Sequence, residues 1–319
     1  MQLDIDPKAE SERIVEFLRA TVYQQWHRRG AVLGISGGVD SSVVLHLCVR
    51  AFGPERVTAL LLPERDSSPE SERLAQKVAA TLGVTPVRED LEPGLAALGC
   101  YARRDAAARR LFPDYDPAVH TIKIVLPPGL AQGKLLNLFH LVVVSPDGTE
   151  RRARMPRDVY LDIVAASNMK QRARMLMLYY HAERRHAAVV GTANKNEHDQ
   201  GFFVKYGDGG VDIQPIVHLY KTQVYRLAEY LGVPEEIRQR PPTSDTYSAS
   251  CTQEEFFFRL PFPLMDALWS AQERDEAPEA VAVRLDLAPE QVQHAFEDFR
   301  RKRATTEYLR TAPLRLLTE

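Results

Sequence analysis

The segment Gly34-Ile35-Ser36-Gly37-Gly38-Val39-Asp40-Ser41-Ser42 constrains this chain more than any other. An apolar run, Ala31-Val32-Leu33-Gly34-Ile35, leads into it and reads as a buried strand. Val43 to Phe52 follows and reads as a helix. Glycines let the backbone turn tightly between the two. N–H groups at the helix start then face outward, and the helix dipole favours an anion there. Ser36, Ser41 and Ser42 add hydroxyl donors. Asp40 adds a negative charge, which suits phosphates if a divalent cation sits between them. The plain alternative is a glycine-rich turn with incidental serines. The strand before, the helix after and the embedded acid count against it. The loop carries neither GK[ST] nor GxGxxG, so γ-phosphate transfer and hydride chemistry are both disfavoured.

The rhythm around this loop extends the reading. Residues 8–29 read as an amphipathic helix, with Ile14, Phe17, Leu18, Val22 and Trp26 at helical spacing. Val57–Leu62 and Val84–Val87 read as strands, and Ser67–Leu82 as the helix between them, with Gly83 as its stop. Later come a helix over Tyr160–Arg185, a buried strand over Ala187–Gly191 and a helix over Tyr220–Leu231. The pattern predicts an α/β fold: a doubly wound parallel sheet with helices on both faces. Two stretches break the rhythm. Residues 94–159 hold an inserted β-hairpin, with Phe139–Val144 and Thr149–Met155 flanking Ser145-Pro146-Asp147-Gly148. Residues 241–263 are rich in Pro, Ser, Thr and Phe and read as a loop that orders on a ligand. The expected organisation is a main domain over 1–260 and a helical C-terminal extension over 261–319.

Composition bounds the partners. Net charge is -2 in 319 residues, which gives no sign of a nucleic-acid or membrane-surface binder. No apolar run approaches the ~20 residues of a membrane span. The cysteines, Cys48, Cys100 and Cys251, are far apart, with no CxxC pair to suggest zinc or a disulfide framework. The charged start of the chain has no apolar signal region. A cytoplasmic setting is expected.

A second cluster begins after the Ala187–Gly191 strand. It runs Gly191-Thr192-Ala193-Asn194-Lys195-Asn196-Glu197, then Gly201-Phe202-Phe203-Val204-Lys205-Tyr206-Gly207-Asp208-Gly209-Gly210-Val211-Asp212, then Leu219-Tyr220-Lys221-Thr222. A glycine-rich loop at the C-terminal end of a strand is where α/β sheets place ligands. It offers the acids Glu197, Asp208 and Asp212 and the cations Lys205 and Lys221. Solvated charges on a surface loop are the bland alternative.

The 34–42 loop resembles the SGGxDS loop of the ATP-pyrophosphatases, of the adenine nucleotide α-hydrolase fold. The second cluster resembles the ammonia-dependent NAD synthetase family, in its GT-x-N-K-x-E and G-[FY]-F-x-K-[YF]-G-D-G-G-x-D strings. The resemblance covers about residues 10–90 and 168–245. It implies amidation of deamido-NAD to NAD through an adenylylated carboxylate, with ATP as substrate, Mg²⁺ as cofactor and ammonia as nitrogen donor. By the same resemblance, Gly34, Ser36, Gly37, Gly38, Asp40, Ser41, Ser42, Thr192, Lys221 and Thr243 contact ATP, and Asp40 and Glu197 hold the metal. Asn168 to Met175 resembles the family's N-x-K-x-R-x-R-M helix, so Arg172 contacts the dinucleotide with Lys205 and Asp212. Asp40, Lys205 and Asp212 are the expected catalytic set, with Asp212 or Asp208 taking a proton from ammonium. Arg301-Lys302 stands either for the family's C-terminal His-Lys pair at the substrate or for a solvated basic helix end. A homodimer is implied, with ammonia supplied free or by a separate subunit.

The chain departs from the family pattern in the long 94–159 segment. It departs again at Ser250–Phe258, where Gln253 replaces an expected Asp and Phe258 an expected Gly. Phe256-Phe257-Phe258 either belong to the core of the C-terminal helices or line a pocket for a different acceptor. Two other functions stay open at this point: a paralogue amidating another carboxylate, and a nucleotide-binding regulator without turnover.

Overall fold

The computed structural model describes residues 3–126, 139–243, 246–249, 251–253 and 257–316. Its centre is a parallel four-stranded sheet of order β3-β2-β1-β7. The strands are β1 (Ala31–Gly34), β2 (Val57–Leu61), β3 (Val87–Arg88) and β7 (Ala188–Val189). Ala31 sits opposite both Val57 and Ala188, which puts β1 in the middle. A parallel bridge, Val190 to Ile213, prolongs the sheet beyond β7.

Side chains of a strand point alternately to its two faces. Ala31, Leu33, Ala59, Leu61 and Ala188 face a core shared with helices α1 (Pro7–Arg19), α2 (Val39–Phe52), α3 (Pro69–Thr81) and α8 (Lys221–Leu231). Val32, Leu60 and Val189 face a second core with α4 (Glu92–Ala97), α5 (Cys100–Arg109) and the long α6 (Arg157–Arg185). Both faces are covered, as the doubly wound reading requires.

Several boundaries differ from the expected ones: β3 is Val87–Arg88 rather than Val84–Val87, and α6 starts at Arg157 rather than Tyr160. The first helix ends at Arg19 and continues to Gln25 as a π-helical stretch. Helix α2 begins at Val39 rather than Val43. Asp40 and Ser41 therefore sit in its first turn, among N–H groups that have no intrahelical partner, and Ser42 N–H makes the first helical bond, to the Gly38 carbonyl.

The 94–159 segment is richer than a hairpin. Strands β4 (Thr121–Val125), β5 (His140–Val144) and β6 (Glu150–Arg154) form an antiparallel sheet in that order. The hairpin is present, closed by hydrogen bonds from Ser145 N–H to the Thr149 carbonyl and from Gly148 N–H to the Ser145 carbonyl. Strand β4 escaped the sequence reading because its two apolar inward residues, Ile122 and Ile124, give only a short alternation. Helix α5 escaped because it buries Arg104 and Asp105 and has no apolar stripe. Residues 127–138 lie outside the described residues.

The C-terminal segment is helical as expected: α10 (Phe262–Glu273), α11 (Pro278–Leu285), α12 (Pro289–Thr305) and α13 (Glu307–Arg310). Its core gathers Phe258, Phe262, Met265, Trp269, Phe296 and Phe299.

Leu33 is fully buried in the central strand. Leu33→Ala is expected to cost about 2–5 kcal/mol of stability, from lost transfer energy and the cavity left behind. Denaturant unfolding measures this. A loss well under about 1 kcal/mol would contradict the packing described.

Candidate active site

The 34–42 loop turns where the sheet ends. Gly37 has φ +72, and a Cβ there would meet the Ser71 carbonyl oxygen at 2.4 Å. Only glycine satisfies both conditions. Gly38 is the N-cap of α2. Ser41 Oγ and Ser42 Oγ donate to its carbonyl at 3.1 and 2.8 Å. Ser36 Oγ lies 3.2 Å from Ser41 Oγ and accepts from Gly38 N–H at 3.4 Å. The hydroxyls thus pin the loop, while the first turn of α2 opens on a cleft.

That cleft has a volume of about 630 Å³. It brings together Gly34, Ser36, Gly38, Asp40, Ser41, Thr192, Glu197, Lys221 and Thr243. Arg172, Lys205 and Asp208 stand on another part of its wall. Gly37 and Ser42 shape the loop but are not on the lining.

Asp40 is the hub. Lys221 Nζ donates to its Oδ2. Asn194 Nδ2 donates to its Oδ1 at 2.9 Å. Asn194 is also the N-cap of α7 (Lys195–Gln200), accepting from Glu197 N–H at 3.0 Å. Glu197 returns the bond by accepting from Asn194 N–H at 3.2 Å. One buried asparagine therefore fixes both acids. Burial raises the Glu197 pKa well above the ordinary carboxylate range, and the Asp40 charge adds to it. Burial works against the Lys221 ammonium, but Asp40 and Glu197 outweigh it and raise its pKa. Asp208 lines the cleft and is exposed to solvent. Its Oδ1 accepts from Val204 N–H at 2.7 Å.

The 201–212 loop is tight. A Cβ on Gly209 would meet the Phe203 ring at 2.4 Å. Lys205 lines the cleft, yet its ammonium is held by the C-terminal tail. It donates to the carbonyls of Tyr308 and Thr311 at 2.9 and 2.7 Å, and lies 4.1 Å from the centre of the Tyr308 ring. Arg172 Nε donates to the Lys205 carbonyl at 3.3 Å.

Three expected contacts lie off the cleft wall. Asp212 accepts from Tyr179 Oη at 2.9 Å and from Val189 N–H at 2.8 Å, so it braces β7 against α6. Lys302 is buried, pairs with Asp298 at 2.9 Å and donates to the Phe257 carbonyl. Arg301 pairs with Asp298 at 2.7 Å. Neither expectation for this basic pair fits Lys302, because α12 turns it into the core rather than to substrate or solvent. The aromatic run divides likewise. Phe258 is core, and Phe257 both packs on Phe202 and lines the cleft. Ser250, Glu254, Glu255 and Phe256 lie outside the described residues.

Several site residues were missed. Gln253 Nε2 donates to Glu197 Oε1 at 3.2 Å, so the amide in place of an acid touches the acid pair. Arg174 and Arg240 line the cleft. Lys170 is fully buried, with Glu64 at 3.1 Å, Asp66 beside it and the Thr246 carbonyl at 2.8 Å. Arg104 of α5 binds the same Asp66. This ionic cluster ties α6 to two cleft walls, 62–68 and 246–247. Its signal was Lys170 and Arg104 in otherwise helical segments, which a surface reading absorbs.

A glycine turn opening a helix at the end of a parallel sheet, with a paired acid beside it, is the arrangement of the nucleotide α-hydrolase fold. The family model NAD synthase matches residues 10–110 and 149–313. The NH(3)-dependent NAD(+) synthetase of Rhizobium meliloti (strain 1021) is 51% identical over 311 residues, 98% of this chain and 92% of that one. The protein of the same name from Thermotoga maritima is 38% identical over 265 residues, 83% of this chain and 87% of that one. Among solved structures, the NAD+ synthetase of Burkholderia pseudomallei matches at TM-score 0.56 and 25% identity, covering 94% of this chain and 91% of that one. The NMN synthetase of Francisella tularensis has the same fold, at TM-score 0.62 and 22% identity, covering 98% and 99%. The chain belongs to the NAD synthase family.

Gly37→Ala is expected to weaken ATP binding at least about tenfold while the chain still folds, since positive φ and a backbone clash both displace the loop. Titration of ATP with a thermal-melt control measures it. Unchanged affinity would mean that the turn does not hold the phosphates.

Proposed function

We propose that this protein amidates the carboxylate of deamido-NAD to give NAD, using ATP and ammonia and releasing AMP and pyrophosphate. The observation that carries this is the cleft. It joins an anion-binding helix start, a paired acid and a cationic wall in one cavity of about 630 Å³. Relatives named for this reaction align along 98% of the chain, which supports deamido-NAD over another carboxylate.

The chemistry follows from charge. The carboxylate oxygen attacks the α-phosphorus of ATP. An O–P bond forms, the bond to the β-phosphate oxygen breaks, and pyrophosphate leaves. Negative charge grows on the leaving group, where the α2 N–H groups and Lys221 lower its cost. The nitrogen of ammonia then attacks the activated carbonyl carbon, the C–O bond to AMP breaks and an amide remains. Arg172 and Lys205 supply positive charge on the substrate wall. Asp208, a carboxylate on the cleft wall, is a base for the proton that ammonium gives up.

The acid pair fits Mg²⁺. Asp40 and Glu197 stand together on the cleft wall, and the Asp40 charge disfavours that of Glu197. Mg²⁺ is commonly held by one or two carboxylates with phosphate oxygens and water completing the shell. Among the described residues no group of three or more acids, histidines or cysteines is placed to hold a metal. ATP and water would supply the remaining ligands. Asp40 and Glu197 would hold the ion, which neutralises phosphate charge.

We read the unit as a homodimer in the cytoplasm, with residues 1–260 as the main domain and 261–319 as its extension. Leu161, Leu176 and Tyr180 are exposed along one side of α6, which supports a covered face there. No described helix is long and apolar enough to cross a membrane, and the cysteines are free and buried.

Purified protein given deamido-NAD, ATP, Mg²⁺ and ammonium should form NAD and pyrophosphate in equal amounts. Glu197→Ala should lower kcat at least about a hundredfold. Pyrophosphate without NAD, or no turnover in a folded ATP-binding protein, would send the search to another acceptor.

A further inference from the structure

The extension reaches the phosphate site through side chains that do not line the cleft: Glu273 of α10 pairs with Lys195 at 2.8 Å and accepts from Tyr220 Oη, and Asp266 reaches further in. Asp266 lies in α10 and is fully buried. Its Oδ1 accepts from Asn196 Nδ2 at 2.5 Å, and its Oδ2 accepts from Thr222 N–H at 2.8 Å. Asn196 is buried as completely, and its own Oδ1 accepts from the backbone N–H of Lys221 at 3.0 Å. A closed chain of bonds thus runs from Asp266 to Asn196 to Lys221, and from Asp266 back to the residue after Lys221. Asn196 directly precedes Glu197 in α7, and Lys221 opens α8.

Among the described residues no cation forms an ion pair with Asp266. A buried carboxylate without one is costly unless hydrogen bonds and dipoles replace water. Here the replacements are an amide, a backbone N–H and the positive end of α8. Breaking local rules at such a cost is expected where a site depends on it.

We propose that Asp266 is a positioning residue of the phosphate site. It sets where α7 and α8 start relative to each other, and so where Glu197 and Lys221 stand against Asp40. The proposal rests on the reading that these three residues handle ATP. It makes the extension a structural part of the site rather than an appendage.

The bond polarity supplies the test. Asp266→Asn keeps shape but cannot satisfy both donors, Asn196 Nδ2 and Thr222 N–H, whichever way its amide turns. Asn196→Asp sets two carboxylates face to face. The double variant, Asp266→Asn with Asn196→Asp, restores every bond with the donor and acceptor of the pair exchanged. Its net charge is that of the parent. Each protein is assayed for the Kd of ATP by calorimetry, for KM and kcat in NAD formation, and for Tm. Each single variant should raise the ATP Kd by about tenfold or more, the value of one charge-assisted hydrogen bond. The KM for deamido-NAD should change little. The double variant should return within about threefold of the parent.

Singles with the parent's ATP affinity would overturn the proposal. So would singles that lose only Tm, or a folded double variant that stays impaired. A parent chain that neither binds ATP nor forms NAD would instead overturn the functional reading beneath it.

Discussion

A buried ammonium beside two carboxylates organises this protein. Lys221, Asp40 and Glu197 come from α8, α2 and α7, three helix starts that only a parallel sheet brings to one edge. None is stable alone in that setting. A buried ammonium without Asp40 would lose its proton, and Asp40 without Lys221 would be an uncompensated charge. The strand order places β1, which leads into α2, next to β7, which leads into α7. The site is therefore a consequence of topology, with charge balance deciding which side chains occupy it.

The parallel sheet and the loop on its edge were readable because they rest on local rules. A short apolar strand, glycines at a turn and serines at a helix start announce themselves within a dozen residues. Glu197 and Lys221 were legible for the same reason, each lying at the start of a helix after a recognisable string. Asp212, Arg301 and Lys302 lie off the cleft wall, because matching strings fixes neighbours in the chain, not orientation. Lys302 is one helix turn from Asp298, and that pairing faces the core. The buried cluster around Lys170 was invisible because its partners, Glu64, Asp66 and Arg104, are scattered over a hundred residues of sequence. Charged residues in helices read as solvent-facing until tertiary packing says otherwise.

The 94–159 segment gains a purpose from its packing. Its small antiparallel sheet shares a core with α6 through Ile122, Ile124, Leu141, Val143 and Ile163. Tyr247, from the loop that forms one cleft wall, joins that core, and Ala249 N–H donates to the Ile122 carbonyl. The loop expected to order on a ligand is thus partly seated on the insertion. Gln253 leads back from there to Glu197.

The Glu64, Asp66, Arg104 and Lys170 cluster also bears on how this sequence can drift. Each member is nearly or completely shielded from water. Losing Lys170 leaves Glu64 without its cation, and losing Arg104 does the same to Asp105, at about 3–5 kcal/mol, a large share of the stability of an ordinary domain. A well-packed apolar set of the same volume costs little by comparison, but it lies several substitutions away. Two solutions therefore stand on either side of a barrier, and single changes do not lead from one to the other. Whichever arrangement an ancestor held, its descendants are held to it by history as much as by need.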